Sequence, residues 1–168
     1  MRGSQIYLLC SYAPSAIGER RCIMRRTEFM LRACDPKTLT VHQLMEDNVV
    51  TCSPQTSALS VAQILTEGNF GSVPVVDEHR TLLGIVTEFD LLNVMNQDKD
   101  LEKVTAEDMM TQSVVTVTEE MPVLDLIKLL QDQHLIRVPV VKGRTLVGIV
   151  ARRDIVFGYV KALGHYWP

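Results

Sequence analysis

The sequence predicts an α/β (α+β) fold built from two tandem β-α-β-β-α repeats, and three observations predict it. The chain repeats itself at a fixed offset, each copy alternates short β-branched runs with helical apolar faces, and a polar stretch divides the copies. At an offset of 65, Met45 meets Met110, Val49-Val50-Thr51 meets Val114-Val115-Thr116, and Val73-Pro74-Val75-Val76 meets Val138-Pro139-Val140-Val141. One residue is then lost, and at an offset of 64 Leu83-Gly84-Ile85-Val86 faces Val147-Gly148-Ile149-Val150. The organisation read from this is a basic extension over 1–40, a first repeat over 41–95, a linker over 96–104, a second repeat over 105–160 and a tail over 161–168.

Each element has a local reason. Val49-Val50-Thr51 is a short β-branched run stopped by Ser53-Pro54, which predicts a strand. Ala58, Val61, Ala62 and Leu65 fall at i, i+3, i+4 and i+7, one face of a helix, with Ser57 as its N-cap and Gly68 just past its end. Val123, Leu126, Ile127 and Leu130 repeat that face. Strands follow over Ser72 to Val76 and Leu82 to Val86, joined by the polar turn Asp77-Glu78-His79-Arg80. A second helix begins near Thr87 and carries Leu91, Leu92 and Met95. A unit of about fifty residues buries too little surface to be secure alone, so the two copies are expected to share a core and leave a cleft between them.

Composition narrows the function classes. The 168 residues carry 17 Lys and Arg against 20 Asp and Glu, a net charge of −3, so no global positive field draws a nucleic-acid backbone. Aromatic content of 5% also leaves few platforms for single strands, and no nucleic-acid partner is expected. The run Ile6 to Cys10 is too short to span a bilayer or to form a signal h-region, so no membrane partner is expected either. Cys10, Cys22, Cys34 and Cys52 show no C-x-x-C pair and read as reduced thiols of a cytoplasmic protein. The first forty residues hold Arg2, Arg20, Arg21, Arg25, Arg26 and Arg32 against Glu19, Glu28 and Asp35; they read as a solvated helix face, with a transit peptide disfavoured by the acidic residues. The tail groups His165, Tyr166 and Trp167, a cluster suited to docking on its own domain or a dimer mate.

No catalytic motif is found: there is no P-loop, dinucleotide fingerprint, zinc-binding H-E-x-x-H or nucleophile elbow. His42, His79, His134 and His165 are scattered singly, without metal-ligand spacing, so neither a catalytic residue nor a metal site is expected. What stands out is Gly84-Ile85-Val86-Thr87-Glu88-Phe89-Asp90, a strand running into a helix whose first turn holds a hydroxyl and then a carboxylate. Two readings stand side by side. The helix start offers N–H groups to a phosphate while Asp90 accepts hydrogen bonds from a ribose diol, or Thr87 and Asp90 simply form a capping box. The second copy reads Gly148-Ile149-Val150-Ala151-Arg152-Arg153-Asp154, where Ala151 offers no capping hydroxyl and Asp154 is nonetheless present. That favours ligand binding, although an acidic first-turn residue also suits the helix dipole.

The paired G-I-V-x-x-x-D segments, V-P-V-V strands and M-x-x-x-V-V-T openings resemble the CBS domain, named for cystathionine β-synthase, across nearly all of 41–160. The resemblance implies a pseudo-two-fold disc with two clefts, often a homodimer, that binds AMP, ADP, ATP or S-adenosylmethionine. It implies that Thr87 meets phosphate, that Asp90 holds the ribose, that Asn48 and Val49 line one adenine pocket, and that Ser113 and Val114 line the other. It also implies that the basic Arg137, just before a V-P-V-V strand, reaches the phosphates of a ligand held by the other repeat. The first cleft then comprises Asn48, Val49, Ser72, Thr87, Asp90 and Arg137, and the second Ser113, Val114, Arg152, Arg153 and Asp154. Two departures stand out: Ser72 replaces the basic residue, and Ala151 replaces the hydroxyl. Arg152 and Arg153 either restore that charge or form a solvated basic turn. The Asp90 cleft is therefore expected to bind more tightly. The resulting expectation is a regulatory sensor of an adenosine ligand acting on an unknown target, not an enzyme; the rival is a ligand-free protein-interaction or dimerisation module.

Overall fold

The computed structural model describes residues 36–162. The basic run of residues 1–35, with Cys10, Cys22 and Cys34, and the tail 163–168 lie outside the described residues. After a 3-10 turn at Pro36–Thr38 come α1 (Val41–Leu44), α2 (Ala58–Gly68), β1 (Ser72–Val76), β2 (Leu82–Thr87) and α3 (Glu88–Asn96). The second copy supplies α4 (Ala106–Met109), α5 (Val123–Asp132), β3 (Arg137–Lys142), β4 (Thr145–Ala151) and α6 (Arg152–Ala162).

The apolar period of α2 buries Ala58, Val61 and Leu65, and Ser57 caps it by accepting the Ser60 N–H. Its end differs from expectation, because Gly68 is its last residue and Asn69 turns the chain at φ 53°. Asparagine tolerates the left-handed region well enough to serve there. The two hairpins match the expected strands: β1 pairs antiparallel with β2, and β3 with β4. The opening β-branched runs do not become strands. Only the residue that follows each run makes a parallel bridge, Cys52 to Val75 and Val117 to Val140. Three residues ending at Ser53-Pro54, with Val50 43% exposed, offer too little length and burial to extend a ladder.

The openings do something the repeat pattern did not foretell: they cross over. Glu46 N–H donates to Ile149 O at 2.8 Å and Ile149 N–H returns the bond at 3.0 Å, tying the start of the first copy to β4. Ile85 and Thr111 make the reciprocal pair at 3.0 and 2.9 Å, and Thr40 bridges Pro122 as Thr105 bridges Ser57. Reciprocal contacts at equivalent residues are the mark of a two-fold relation. The hairpin tips also meet, with Leu82 N–H donating to Arg144 O and Leu146 N–H to Arg80 O, both at 2.9 Å.

Packing follows the crossover. One core joins Leu39, Val41, Leu44 and Met45 of the first opening to Val123, Leu126, Val138, Val140, Val150 and Ile155 of the second copy. The other joins Cys52, Ala58, Val61, Val73 and Val86 to Ala106, with Leu101, Val104, Met109 and Met110 packed against it. The 96–104 stretch is thus more than a polar spacer, since Asn96 ends α3 and Leu101 and Val104 seal the first core. Gly84 and Gly148 admit the crossing chains. A Cβ at Gly84 lies 3.0 Å from Thr111 O and 2.5 Å from Met110 Sδ, and one at Gly148 lies 3.1 Å from Glu46 O. Among the described residues no helix is long and apolar enough to cross a membrane.

Candidate functional site

The crossover decides which residues meet. Because the first opening runs beside β4, it carries Asn48 and Val49 to the start of α6 rather than to the start of α3. A cleft of about 220 Å³ forms there, lined by Asn48, Val49 and Ser72 together with Arg137, Arg153 and Asp154. The two sets grouped from the sequence are therefore recombined: four residues assigned to the first cleft join two assigned to the second. Thr87 and Asp90 do not line it. Val114 borders a separate recess of about 150 Å³ with Leu82 and Arg144, and Ser113 is exposed.

The two helix starts differ in what their carboxylates do. At α3 the capping box is complete: Asp90 Oδ2 accepts the Thr87 N–H at 2.8 Å and its hydroxyl at 2.6 Å, while Thr87 Oγ1 accepts the Asp90 N–H at 3.3 Å. At α6 the box lacks its hydroxyl half, because Ala151 offers none, while Asp154 Oδ2 accepts the N–H of Ala151 at 2.9 Å. The carboxylate is still oriented by the backbone, and it faces the cleft with two guanidinium groups beside it.

Arg137 starts β3 and is half-buried. Burial pulls its guanidinium below the ordinary arginine range; Asp154 and then Glu88 oppose that pull, and Arg153 adds to it. An arginine remains charged at physiological pH regardless, so the cleft holds a partly desolvated cation beside an exposed one. Arg152 corrects the sequence grouping. Its Nη2 donates to Leu130 O at 3.3 Å and its Nε to Leu135 O at 2.5 Å, so it satisfies carbonyls at the end of α5 and turns away from the cleft. On a helix, neighbours in sequence point about 100° apart, which lets Arg153 face the cleft while Arg152 does not.

Further lining residues were not assigned to the site from the sequence, among them Glu46, Asn69, Phe70 and Ile149. Glu46 and Ile149 are the crossover pair themselves, and the only signal for them would have been the pairing of each opening with the other copy. Asn69 and Phe70 follow the end of α2, where nothing in the apolar period marks them. Ser72 lines the cleft although only 6% exposed, and its hydroxyl has no hydrogen-bond partner among the described residues. Among those residues there is no group of His, Cys, Asp and Glu that could hold a metal. His42 Nδ1 lies 3.0 Å from Glu119 Oε1, and His134 Nδ1 lies 2.8 Å from Gln131 O.

Known proteins resemble this chain in sequence and in fold. The chain is 37% identical over 122 residues to the protein MK0525 of Methanopyrus kandleri, and 35% identical over 121 residues to the L-aspartate semialdehyde sulfurtransferase of Methanocaldococcus jannaschii. Each match covers 71% of this chain; it spans 62% of the first relative and 23% of the second. Among solved structures, the CBS domain pair of protein MJ0100 in complex with 5'-methylthioadenosine and S-adenosyl-L-methionine superposes with a TM-score of 0.64 at 32% identity, covering 71% of this chain and 98% of that one. CBSX2 in complex with AMP superposes at 0.67 with 27% identity, covering 73% and 96%. The family model for the CBS domain matches residues 41–97 and 106–161, the two copies found by their internal offset. With both copies matched and the fold shared with solved pairs, the chain belongs to the CBS domain family.

Proposed function

We propose that this chain is a regulatory module, not an enzyme, and that it takes one adenosine-containing ligand in the cleft between its repeats. The observation that carries this reading is the meeting of Asp154, Arg137 and Arg153 in one cleft with the apolar edge of Val49. A backbone-oriented carboxylate suits a ribose diol, paired guanidinium groups suit a phosphate, and an apolar edge suits a base. Solved relatives hold AMP, or 5'-methylthioadenosine and S-adenosyl-L-methionine, on the same fold. Two cations make AMP, ADP or ATP the favoured class here. Asp154, rather than Asp90, is the ribose-binding carboxylate in this reading, because Asp90 is occupied by Thr87.

Against catalysis stands the lone described cysteine. Burial pushes the Cys52 thiol up to about 11, so it carries almost no thiolate at neutral pH and is a poor nucleophile. Signalling would arise if the ligand binds two arrangements of the repeats with unequal affinity. The target is unknown, and a cytoplasmic setting fits the cysteine pattern.

A second reading, an interaction or dimerisation module, rests on a specific observation. Phe89, Leu92 and Met95 on α3 are 69%, 60% and 46% exposed, and Val156 on α6 is 64% exposed. Beside them lie apolar grooves of about 540 and 790 Å³. Such faces suit a homodimer. Thermal shift with adenosine, AMP, ADP, ATP and S-adenosylmethionine tests the first reading, since a ligand of the native state raises the melting temperature. Silence across the series at millimolar ligand would leave the interaction module standing, and light scattering after gel filtration checks for the dimer.

A further inference from the structure

The two apolar grooves lie at equivalent places, one between α2 and α3 and one between α5 and α6, but they are not alike. The α5–α6 groove is the larger, about 790 Å³ against about 540 Å³, and is walled by Ile127 and Leu130 of α5 and by Ile155, Val156, Tyr159 and Val160 of α6. These positions recur at three- and four-residue spacings, so each helix turns an apolar stripe into the groove. Val156 is 64% and Val160 39% exposed, the kind of contiguous apolar face that marks a docking site. No carboxylate lines it, whereas Glu88 lines the other groove. Arg152 borders it, but its guanidinium is spent on Leu130 O and Leu135 O. A basic segment such as residues 1–35 therefore finds no counter-charge there. An aromatic segment without Lys or Arg suits it, and Leu163-Gly164-His165-Tyr166-Trp167 follows α6 directly.

The first copy shows how a chain leaving the closing helix is returned. Two residues past the end of α3, Asp98 takes φ 50°; its N–H donates to Met95 O at 3.1 Å and that of Lys99 to Val94 O at 3.4 Å. The chain then comes back, with Leu59 N–H donating to Leu101 O at 3.0 Å and Leu101 packed against the first core. Two residues past Ala162, the end of α6, stands Gly164, the residue that most readily takes such a left-handed turn. We propose that the chain beyond α6 doubles back at Gly164 and lays Tyr166 and Trp167 into the α5–α6 groove of its own copy. The reach fits. Val156 lies six residues back along α6, about 9 Å at the helical rise, and the step from Gly164 to Trp167 spans about 10 Å when extended. Each ring brings about 150–250 Å² of mostly apolar surface, and Gln131 on the groove wall offers an amide oxygen to the indole N–H. This goes beyond the nucleotide reading: it closes one of the two apolar faces and leaves the α2–α3 groove open.

Trp167 is the only tryptophan of the sequence, so intrinsic fluorescence of the full chain reads its surroundings alone. The expected emission lies to the blue of the urea-unfolded chain, with weaker quenching by acrylamide. Val156→Glu and Val160→Glu each place a charge at an exposed position of the groove, and each is expected to shift the emission to the red while circular dichroism is unchanged. Leu92→Glu, in the α2–α3 groove, should leave the emission as it was. Should one groove variant unfold, the other decides. Emission of the folded parent that matches the unfolded chain overturns the proposal, as does a blue emission that survives the groove substitutions or reddens with Leu92→Glu instead. A blue emission lost on dilution, in step with dissociation seen by light scattering, puts the rings on a second copy and overturns it too.

Discussion

The starts of α3 and α6 occupy equivalent places in the two repeats, yet they have been put to different uses. At α3 a threonine and an aspartate close on each other, and the next outward residue is the exposed Phe89. At α6 the hydroxyl is gone, Phe89 is replaced by Arg153, and the aspartate faces a cleft. One copy has kept a helix cap, while the other has traded half of its cap for a charged site. The comparison teaches that a carboxylate at the third position of a helix is ambiguous until its neighbours are known: a hydroxyl beside it closes it into a cap, whereas cations beside it make it part of a charged cleft.

The sharpest way to break this contrast is to delete each carboxylate. Asp154→Ala is expected to weaken AMP binding about 10- to 100-fold, whereas Asp90→Ala changes it by less than about threefold, both by calorimetry. Equal losses would abolish the distinction. Next in size are the crossing points, where the copies are expected to behave alike. Gly84→Ala and Gly148→Ala each press a methyl against a backbone carbonyl and a methionine side chain, and each is expected to destabilise by about 1–2 kcal/mol in urea unfolding. A twofold difference between them would show that the copies depend unequally on the crossover.

Smaller still is the cap. Thr87→Ala removes the hydroxyl from the complete box and is expected to lower stability by about 1 kcal/mol while leaving AMP affinity unchanged. The smallest effect concerns the hairpin turns. Asp77 accepts N–H groups from Thr81 at 2.7 Å and His79 at 2.9 Å, and the backbone hydrogen bond from Thr81 leads the causes that hold its carboxyl below the ordinary range. A lowered folded pKa adds stability that is fully present above the ordinary aspartate value near 3.9 and disappears as pH falls through the lower folded value. Asp77→Asn is therefore expected to flatten the acid limb of the stability profile below about pH 4, and the turn at Lys142–Arg144, which has no aspartate, gives no counterpart.

Much of the fold was legible because its signals are local. The hairpins announced themselves through alternating β-branched runs, and α2 and α5 through their 3.6 period, since each depends on residues close in sequence. The openings were misread for the opposite reason. Val49-Val50-Thr51 has strand composition, but what fixes it is a pairing between Glu46 and Ile149, a hundred positions apart in the chain, that no window of residues contains. That one omission explains most of the site errors. It sent Asn48 and Val49 to Asp90, when the fold delivers them to Asp154, and it hid Glu46 and Ile149 altogether. Arg152 was misassigned for a geometric reason, because spacing along a helix start does not say which of two adjacent arginines turns outward to cap the preceding helix.

The exchanged openings also bear on what counts as a unit in this molecule. Cutting the chain near residue 98 would leave each piece holding Leu39 to Met45, or Leu101 to Met110, with no hydrophobic surface of its own to seat them on. Neither piece would be expected to fold by itself. Mixed together, however, the pieces should reassemble by strand and helix complementation, because each carries the plug for the other's hole. A lone ancestral copy could have filled its own hole only by trading plugs with an identical neighbour, so the fused chain reads as an intertwined dimer made permanent by a peptide link.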